Sequence, residues 1–236
     1  MTRVMVDDDF IWAAQLMERR RARYAKFSPV FWKPAERVTD AHAQFMRATA
    51  VREDAVALRT DHGFVVSYRH EGRCFIDDFA VDADERWATD GQTLLLSAWK
   101  TARSPSQPTL RAVTAREDAP KREMLAGLRL IVTARWWVKE LTPTGEASTW
   151  GSVVLADVPA LIIPAPPVYD PGGPVCLLGD IDASRASVAA DAAAEHGVVL
   201  AIVQRDCSPA EAPDSEPQLQ AGGFHNPSEF YEGSPA

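Results

Sequence analysis

The sequence predicts an α/β (α+β) fold, and three observations carry the prediction. Residues 55–60, 64–69 and 74–81 are short apolar runs separated by Asp61-His62-Gly63 and Glu71-Gly72, the turn chemistry of an antiparallel meander. Helical and strand patterns then alternate from residue 92 to 141. The last part of the chain repeats that alternation in shortened form.

Length and composition suit such a fold. The chain has 236 residues, 46% hydrophobic and 25% charged, enough to bury a sizeable core without staples. A formal charge of −8 argues against a general nucleic-acid binder, which needs a basic face to release counterions. No apolar stretch is long enough to span a bilayer. The opening MTRVMVDDDF places acids where a secretory signal carries its apolar run, so the expected location is the cytoplasm, with no membrane partner. Cys74, Cys176 and Cys207 are odd in number and widely spaced; they read as small core residues, not a disulfide or zinc framework. His42, His62, His70, His196 and His225 lack metal-ligand spacing and read as surface or turn residues, and no metal site is expected.

Element by element, residues 7–27 read as a helix with Asp7, Asp8 and Asp9 at its positive end. Arg19, Arg20, Arg21 and Arg23 make its second half basic, which reads as a solvated face; the sharper alternative is a grip on an acidic ligand or partner. Pro29 and Pro34 bracket Val30-Phe31-Trp32 in a loop. A second helix spans 39–51. After the meander, 84–91 reads as a polar loop ending in Gly91. A helix at 92–102 follows, with Leu94, Leu95, Ala98 and Trp99 at helical spacing and Pro105 and Pro108 beyond its end. A strand at 110–114, a short helix at 120–126 opened by Pro120 and stopped by Gly127, and a strand at 131–141 complete a first lobe, 1–141. Seven of the 17 prolines lie between 143 and 174, interrupted by strand-like runs at Val153–Ala156 and Leu161–Ile163, so 142–173 reads as a structured linker or a remnant of small strands, not a flexible tether. The second lobe, 174–236, is a strand at 175–178, a helix at 183–196, a strand at 198–204, a loop at 206–217, a short helix to Gly222 and a strand at 224–231.

The two lobes echo each other. Cys74-Phe75-Ile76 matches Cys176-Leu177-Leu178, and Leu110-Arg111-Ala112-Val113 matches Leu200-Ala201-Ile202-Val203. From Cys74 to Val113 is 39 positions and from Cys176 to Val203 is 27, so the second copy lacks twelve positions and has no counterpart of loop 84–91. A task performed by that loop belongs to the first lobe alone.

The order strand, polar loop ending in glycine, helix, strand carries the chemistry. A helix N-terminus offers unpaired N–H groups and a positive dipole end to a diphosphate. Arg86 adds a fixed positive charge, and Gly91 permits close backbone approach.

At these residues the chain resembles the GNAT superfamily of N-acetyltransferases. The family's signature is a strand ending in Val, then Arg/Gln-x-x-Gly-x-Gly/Ala opening a helix; this chain has Val81, then Arg86-Trp87-Ala88-Thr89-Asp90-Gly91, then Leu94-Leu95. The family's short helix ends in Gly-Phe, here Gly127-Leu128 and, in the second lobe, Gly223-Phe224. The resemblance covers 1–141 in element order and 174–236 as a truncated copy. It implies a twisted mixed sheet flanked by helices, with acetyl-coenzyme A held where strands 74–81 and 110–114 splay. The main chain at Phe79, Ala80 and Val81 is then expected to pair with the pantetheine amides, and the N–H groups of Trp87, Ala88, Thr89, Asp90, Gly91 and Gln92 to cradle the pyrophosphate beside Arg86. Acetyl passes directly to an amine in such enzymes.

Two departures stand out. Thr89 replaces the first signature glycine, with Asp90 beside the expected phosphates. Glu123 stands where the family often has the tyrosine that protonates the departing thiolate. For a base, Asp77-Asp78 resembles the acidic pair on the same strand of some polyamine and small-amine acetyltransferases. Strand alternation turns one carboxylate toward the cleft, and the pair reads equally well as a base or as structural. Phe31 and Trp32 lie on the loop that borders the acceptor in the family; a core plug is the other reading of them.

The expected function is therefore transfer of acetyl from acetyl-coenzyme A to a small amine, amino acid or peptide amine by a monomer or homodimer. The alternatives are a catalytically weak or inactive acyl-coenzyme A-binding or regulatory module, and an interaction protein that keeps only the fold.

Overall fold

A computed structural model of the chain describes residues 1–102, 109–147, 149–179, 181–207 and 215–235. They form two compact units that interleave along the sequence. The first contains residues 1–23, 37–132 and 230–236, the second 24–36 and 133–229. The division differs from a simple succession of lobes: 24–36 joins the second unit, and the last seven residues join the first. Pro105, Pro108 and most of the expected loop 206–217 fall outside the described residues.

The first unit opens with β1 (Arg3–Val4) and α1 (Asp7–Tyr24). Asp9 does more than favour the helix dipole. Its buried carboxylate accepts from the Val6 N–H at 2.8 Å, as the third residue of a helix does in a capping box, and from Arg3 and Arg59 at 2.7 Å each. Burial pushes the Asp9 carboxyl up, but these donors outweigh it and hold the group well below the usual carboxylate range. There follow α2 (Val38–Ala50), β2 (Ala55–Arg59), β3 (Gly63–His70) and β4 (Arg73–Val81). The strands β2 to β4 pair antiparallel in sequence order, the meander expected from the turns, and β1 adds an antiparallel edge strand on β2. The segment expected as a polar loop is instead helical: a tight 3₁₀ turn, Asp84–Arg86, and a wide π turn, Trp87–Gly91, run straight into α3 (Gln92–Ala102). Next come β5 (Leu110–Ala115), parallel to β4, and α4 (Ala119–Gly127). The unit's main core joins Ile76, Phe79, Trp87, Leu94, Leu95, Leu110 and Leu125.

In the second unit, β6 (Ile131–Glu140) contributes from Thr133 onward. The expected linker holds a hairpin, β7 (Gly151–Leu155) and β8 (Val158–Ile163), turned by Ala156 and Asp157, both at positive φ. Then β9 (Val175–Leu178), α5 (Ala183–Ala194), β10 (Leu200–Asp206), α6 (Ser215–Ala221) and β11 (His225–Gly233) follow, the last divided between the units at Phe230. Asp182 caps α5 by accepting from the Arg185 N–H at 2.9 Å. The buried alanines at 183, 186, 189, 190 and 193 give α5 a flat face for close approach to the sheet.

Each unit carries the same internal motif. In the first, β3 pairs antiparallel with β4, which pairs parallel with β5. In the second, β8 pairs antiparallel with β9, which pairs parallel with β10. Both are mixed sheets flanked by helices. Among the described residues no helix is long and apolar enough to cross a membrane, and no cluster of His, Cys, Asp or Glu could hold a metal ion.

Candidate active site

The first unit has a gap in its sheet. Strands β4 and β5 pair only through Cys74–Leu110, Phe75–Arg111 and Ile76–Ala112, although β4 continues to Val81 and β5 to Ala115. Past Ile76 the two edges are unmatched, so their backbone polar groups need other partners. The second unit lacks this feature over β9, whose four residues all pair with β10, from Val175–Leu200 to Leu178–Val203.

Two cations supply the missing donors. Lys121, in the first turn of α4, donates to the Val113 carbonyl at 3.0 Å and to the Phe79 carbonyl at 3.5 Å, one on each side of the gap. Arg20, from α1, donates to the Val81 carbonyl at 3.3 Å. Its guanidinium also holds Asp118 at 2.8 and 3.0 Å and Asp84 at 3.2 Å, and lies 4.9 Å from the Trp87 ring centre. Both side chains are buried. The Lys121 ammonium sits 5.2 Å from the Phe79 ring and 5.4 Å from the Trp87 ring. Burial pulls its pKa down to about 8; Arg20 adds to the fall, while Asp118, Asp78 and Asp77 oppose it.

The acidic pair lies at the mouth of the gap, and the two carboxylates have opposite surroundings. The β3–β4 register shifts there: Val66 pairs with Asp78 and Ser67 with Ile76, leaving Asp77 as the extra residue of a bulge. The Asp77 side chain is partly exposed and makes no hydrogen bond or ion pair among the described residues. Desolvation, reinforced by the neighbouring Asp78 charge, pushes its carboxyl up to about 7. Asp78 is buried and accepts from His42 Nε2 at 2.7 Å, with Arg21 at 3.6 Å. Burial acts to raise its pKa as well, but His42 and Arg21 prevail and hold Asp78 below the usual range. Arg21 donates to His42 Nδ1 at 3.2 Å, which assigns the Nε2–H tautomer that faces Asp78. Among the described residues, Asp78 Oδ2 and the Trp87 indole N–H are buried without hydrogen-bond partners.

Several expectations change against this geometry. Arg20 and Arg21 are not a solvated face: they turn inward onto Asp118 and Asp78. His42 is a core residue, not a surface one. Gly91 is required by the protein itself, since a Cβ there would lie 2.7 Å from Cε3 of the Trp87 ring. The helical turns also occupy amides of the expected phosphate cradle: Trp87 N–H donates to the Asp84 carbonyl, and Gln92 N–H to those of Trp87 and Thr89. Arg86 lies 3.6 Å from Asp90, so the two charges offset each other, and the Thr89 hydroxyl turns back to the Arg86 carbonyl at 3.5 Å. Ala88 and Thr89 are exposed. Glu123 is exposed on α4 and makes no ion pair among the described residues. Phe31 and Trp32 belong to the second unit's core, where Phe31 packs on Trp136 and Tyr169 with Val138, Val175 and Ile202, and Trp32 on Tyr24.

The gap matches an acyl-coenzyme A arm in its hydrogen-bond chemistry. The Phe79 and Val113 carbonyls require donors that no strand supplies, and the present donor is a flexible side chain that could yield to a ligand amide. The turn 84–91 as folded matches a pyrophosphate poorly, because amides at both ends of the expected cradle are already bonded.

No family model and no curated protein sequence matches the chain. Solved structures do. A GCN5-related N-acetyltransferase from Sphaerobacter thermophilus superposes with a TM-score of 0.53 at 12% identity, covering 99% of this chain and 95% of that one. A candidate acetyltransferase from Pyrococcus horikoshii gives 0.54 at 10% identity over 100% and 89%. Another from Thermoplasma acidophilum gives 0.50 at 10% over 90% and 89%. At these identities the likeness establishes architecture: the chain has the fold of the GNAT acetyltransferases.

Proposed function

We propose that the first unit is an acyl-coenzyme A-dependent N-acyltransferase that moves an acetyl group onto a primary amine, with Asp77 as general base. The observation that carries this reading is the divergence of the two carboxylates at the gap: one is fixed as an anion by His42 and Arg21, and the other is raised to about 7 and left unpartnered. Paired groups pushed apart in pKa are the usual basis of an acid–base assignment.

In this mechanism coenzyme A supplies the acyl group as a thioester, and the chain's residues do the rest. The Asp77–Asp78 pair attracts a cationic amine. Asp77, ionised for much of the time at neutral pH, takes one proton from the acceptor ammonium, directly or through one water, and the proton lost as the amide forms ends on the departing sulfur, which leaves as the thiol of coenzyme A. Asp78 stays ionised and keeps its neighbour basic. The β4 main chain from Phe79 to Val81 orients the arm. A small amine, amino acid or peptide amine in the cytoplasm suits this arrangement.

The test is thiol release from acetyl-coenzyme A with a panel of polyamines, amino acids and peptide amines. Asp77→Asn should lower kcat by about 10²–10⁴-fold, the range for loss of a general base. An equally active Asp77→Asn variant would refute the assignment. A second reading is favoured by the occupied amides of 84–91 and the exposed Glu123: an acyl-coenzyme A-binding module without turnover. It predicts saturable binding and no thiol release with any amine.

A further inference from the structure

The occupant of the gap has a consequence for ligand binding. Lys121 is one residue doing the work of a missing strand: its ammonium satisfies carbonyls on β4 and β5 at the point where the sheet opens. It is enclosed by the Phe79 and Trp87 rings, with Asp118, Asp77 and Asp78 as the surrounding anions and Arg20 as a neighbouring cation. A ligand amide that reached the Phe79 carbonyl would need the place that Nζ holds. Both cannot occupy it, and only Lys121 has a flexible four-carbon stem with which to leave.

We propose that Lys121 is the built-in competitor for this cleft: it and an amide-bearing ligand exchange for the Phe79 and Val113 carbonyls, so that Lys121 sets the cleft's affinity. This rests on the acyl-coenzyme A reading above and extends it to a residue on α4 that the GNAT signature does not include.

The test is calorimetric titration of coenzyme A itself into the wild-type protein and into Lys121→Met, which keeps the length and apolar stem but removes every donor. The expected result is binding at least about tenfold tighter to the variant, corresponding to ~1.4 kcal/mol. Equal affinities would overturn the competition and leave the acyl-coenzyme A reading standing. Absence of binding to both folded proteins, checked by their unfolding transitions, would overturn both. Should Lys121→Met fail to fold, the wild-type protein still decides the matter. Its Lys121 amine should react with acetic anhydride faster at saturating desulfo-coenzyme A, which carries no thiol to consume the reagent, than without it, read by peptide mass spectrometry as one added acetyl group. A slower or unchanged reaction would overturn the proposal.

Discussion

Asp77 offers a prediction in which function and stability oppose each other. A carboxyl raised from 3.8 to about 7 by folding means that the folded state binds more protons than the unfolded chain between those values. Stability conferred by the neutral form is therefore fully present below pH 4 and is lost progressively as pH rises to 7. Above pH 7 the folded protein carries the whole cost of the buried charge. Three pKa units at 1.36 kcal/mol each set a ceiling of ~4 kcal/mol. Because Asp77 is partly exposed, solvent screening reduces the cost to about 1–2 kcal/mol. Asp77→Asn removes the charge and keeps the shape, so at pH 8 the variant should be the more stable protein by that amount. Its Tm should rise by about 2–4 °C per kcal/mol for a chain of this length. At pH 4 the two proteins should unfold together. Urea or thermal unfolding at four pH values from 4 to 8 reads the difference directly. A variant that is equally stable at every pH, or less stable at pH 8, would refute the account of Asp77 as a strained, unpartnered carboxylate.

Three further outcomes follow from the same geometry. Asp118→Ala removes the main carboxylate partner of the buried Arg20 guanidinium and should cost about 3–5 kcal/mol in urea unfolding, whereas the double change Arg20→Met, Asp118→Leu should recover much of it; no recovery would place the damage elsewhere. Gly91→Ala drives a Cβ into the Trp87 ring and should lower stability by about 1–3 kcal/mol with no ligand present, while an unchanged Tm would return the glycine to a ligand-binding role. If coenzyme A expels Lys121 into water, its pKa rises from about 8 toward 10.5, so binding takes up a proton between those values; affinity should be flat below pH 8 and fall above it, and calorimetry in buffers of different ionisation enthalpy should detect the uptake at pH 9.

Much of the architecture was legible because it is local. The meander was marked by Asp61-His62-Gly63 and Glu71-Gly72, and α3 by Leu94, Leu95, Ala98 and Trp99 on one face. The candidate site was legible only in part. Strand alternation predicted that Asp77 and Asp78 would differ, but which faced solvent depended on a bulge opposite Val66 and Ser67, and nothing in the five residues around it announces one. The partners that settle the electrostatics are remote: His42 is 36 positions from Asp78, and Arg20 is 98 from Asp118. A basic run such as Arg19–Arg23 reads as solvated because a buried arginine is stable only with a carboxylate that local pattern cannot supply. Lys121 gave even less signal, being one lysine at the start of a short helix. The polar composition of 84–91 suggested a loop, whereas burial of Trp87 against Phe79 at 4.9 Å between ring centres favours winding the segment into helix.

The central claim is that the gap between β4 and β5 is the acyl-coenzyme A site. Amide hydrogen exchange with and without saturating acetyl-coenzyme A tests it most directly. Slower exchange is expected only at residues 77–81, 113–115 and the start of α4, with residues 175–178 and 200–203 unchanged. Protection over the second unit's parallel pair instead, or no protection anywhere at saturating ligand, would contradict it.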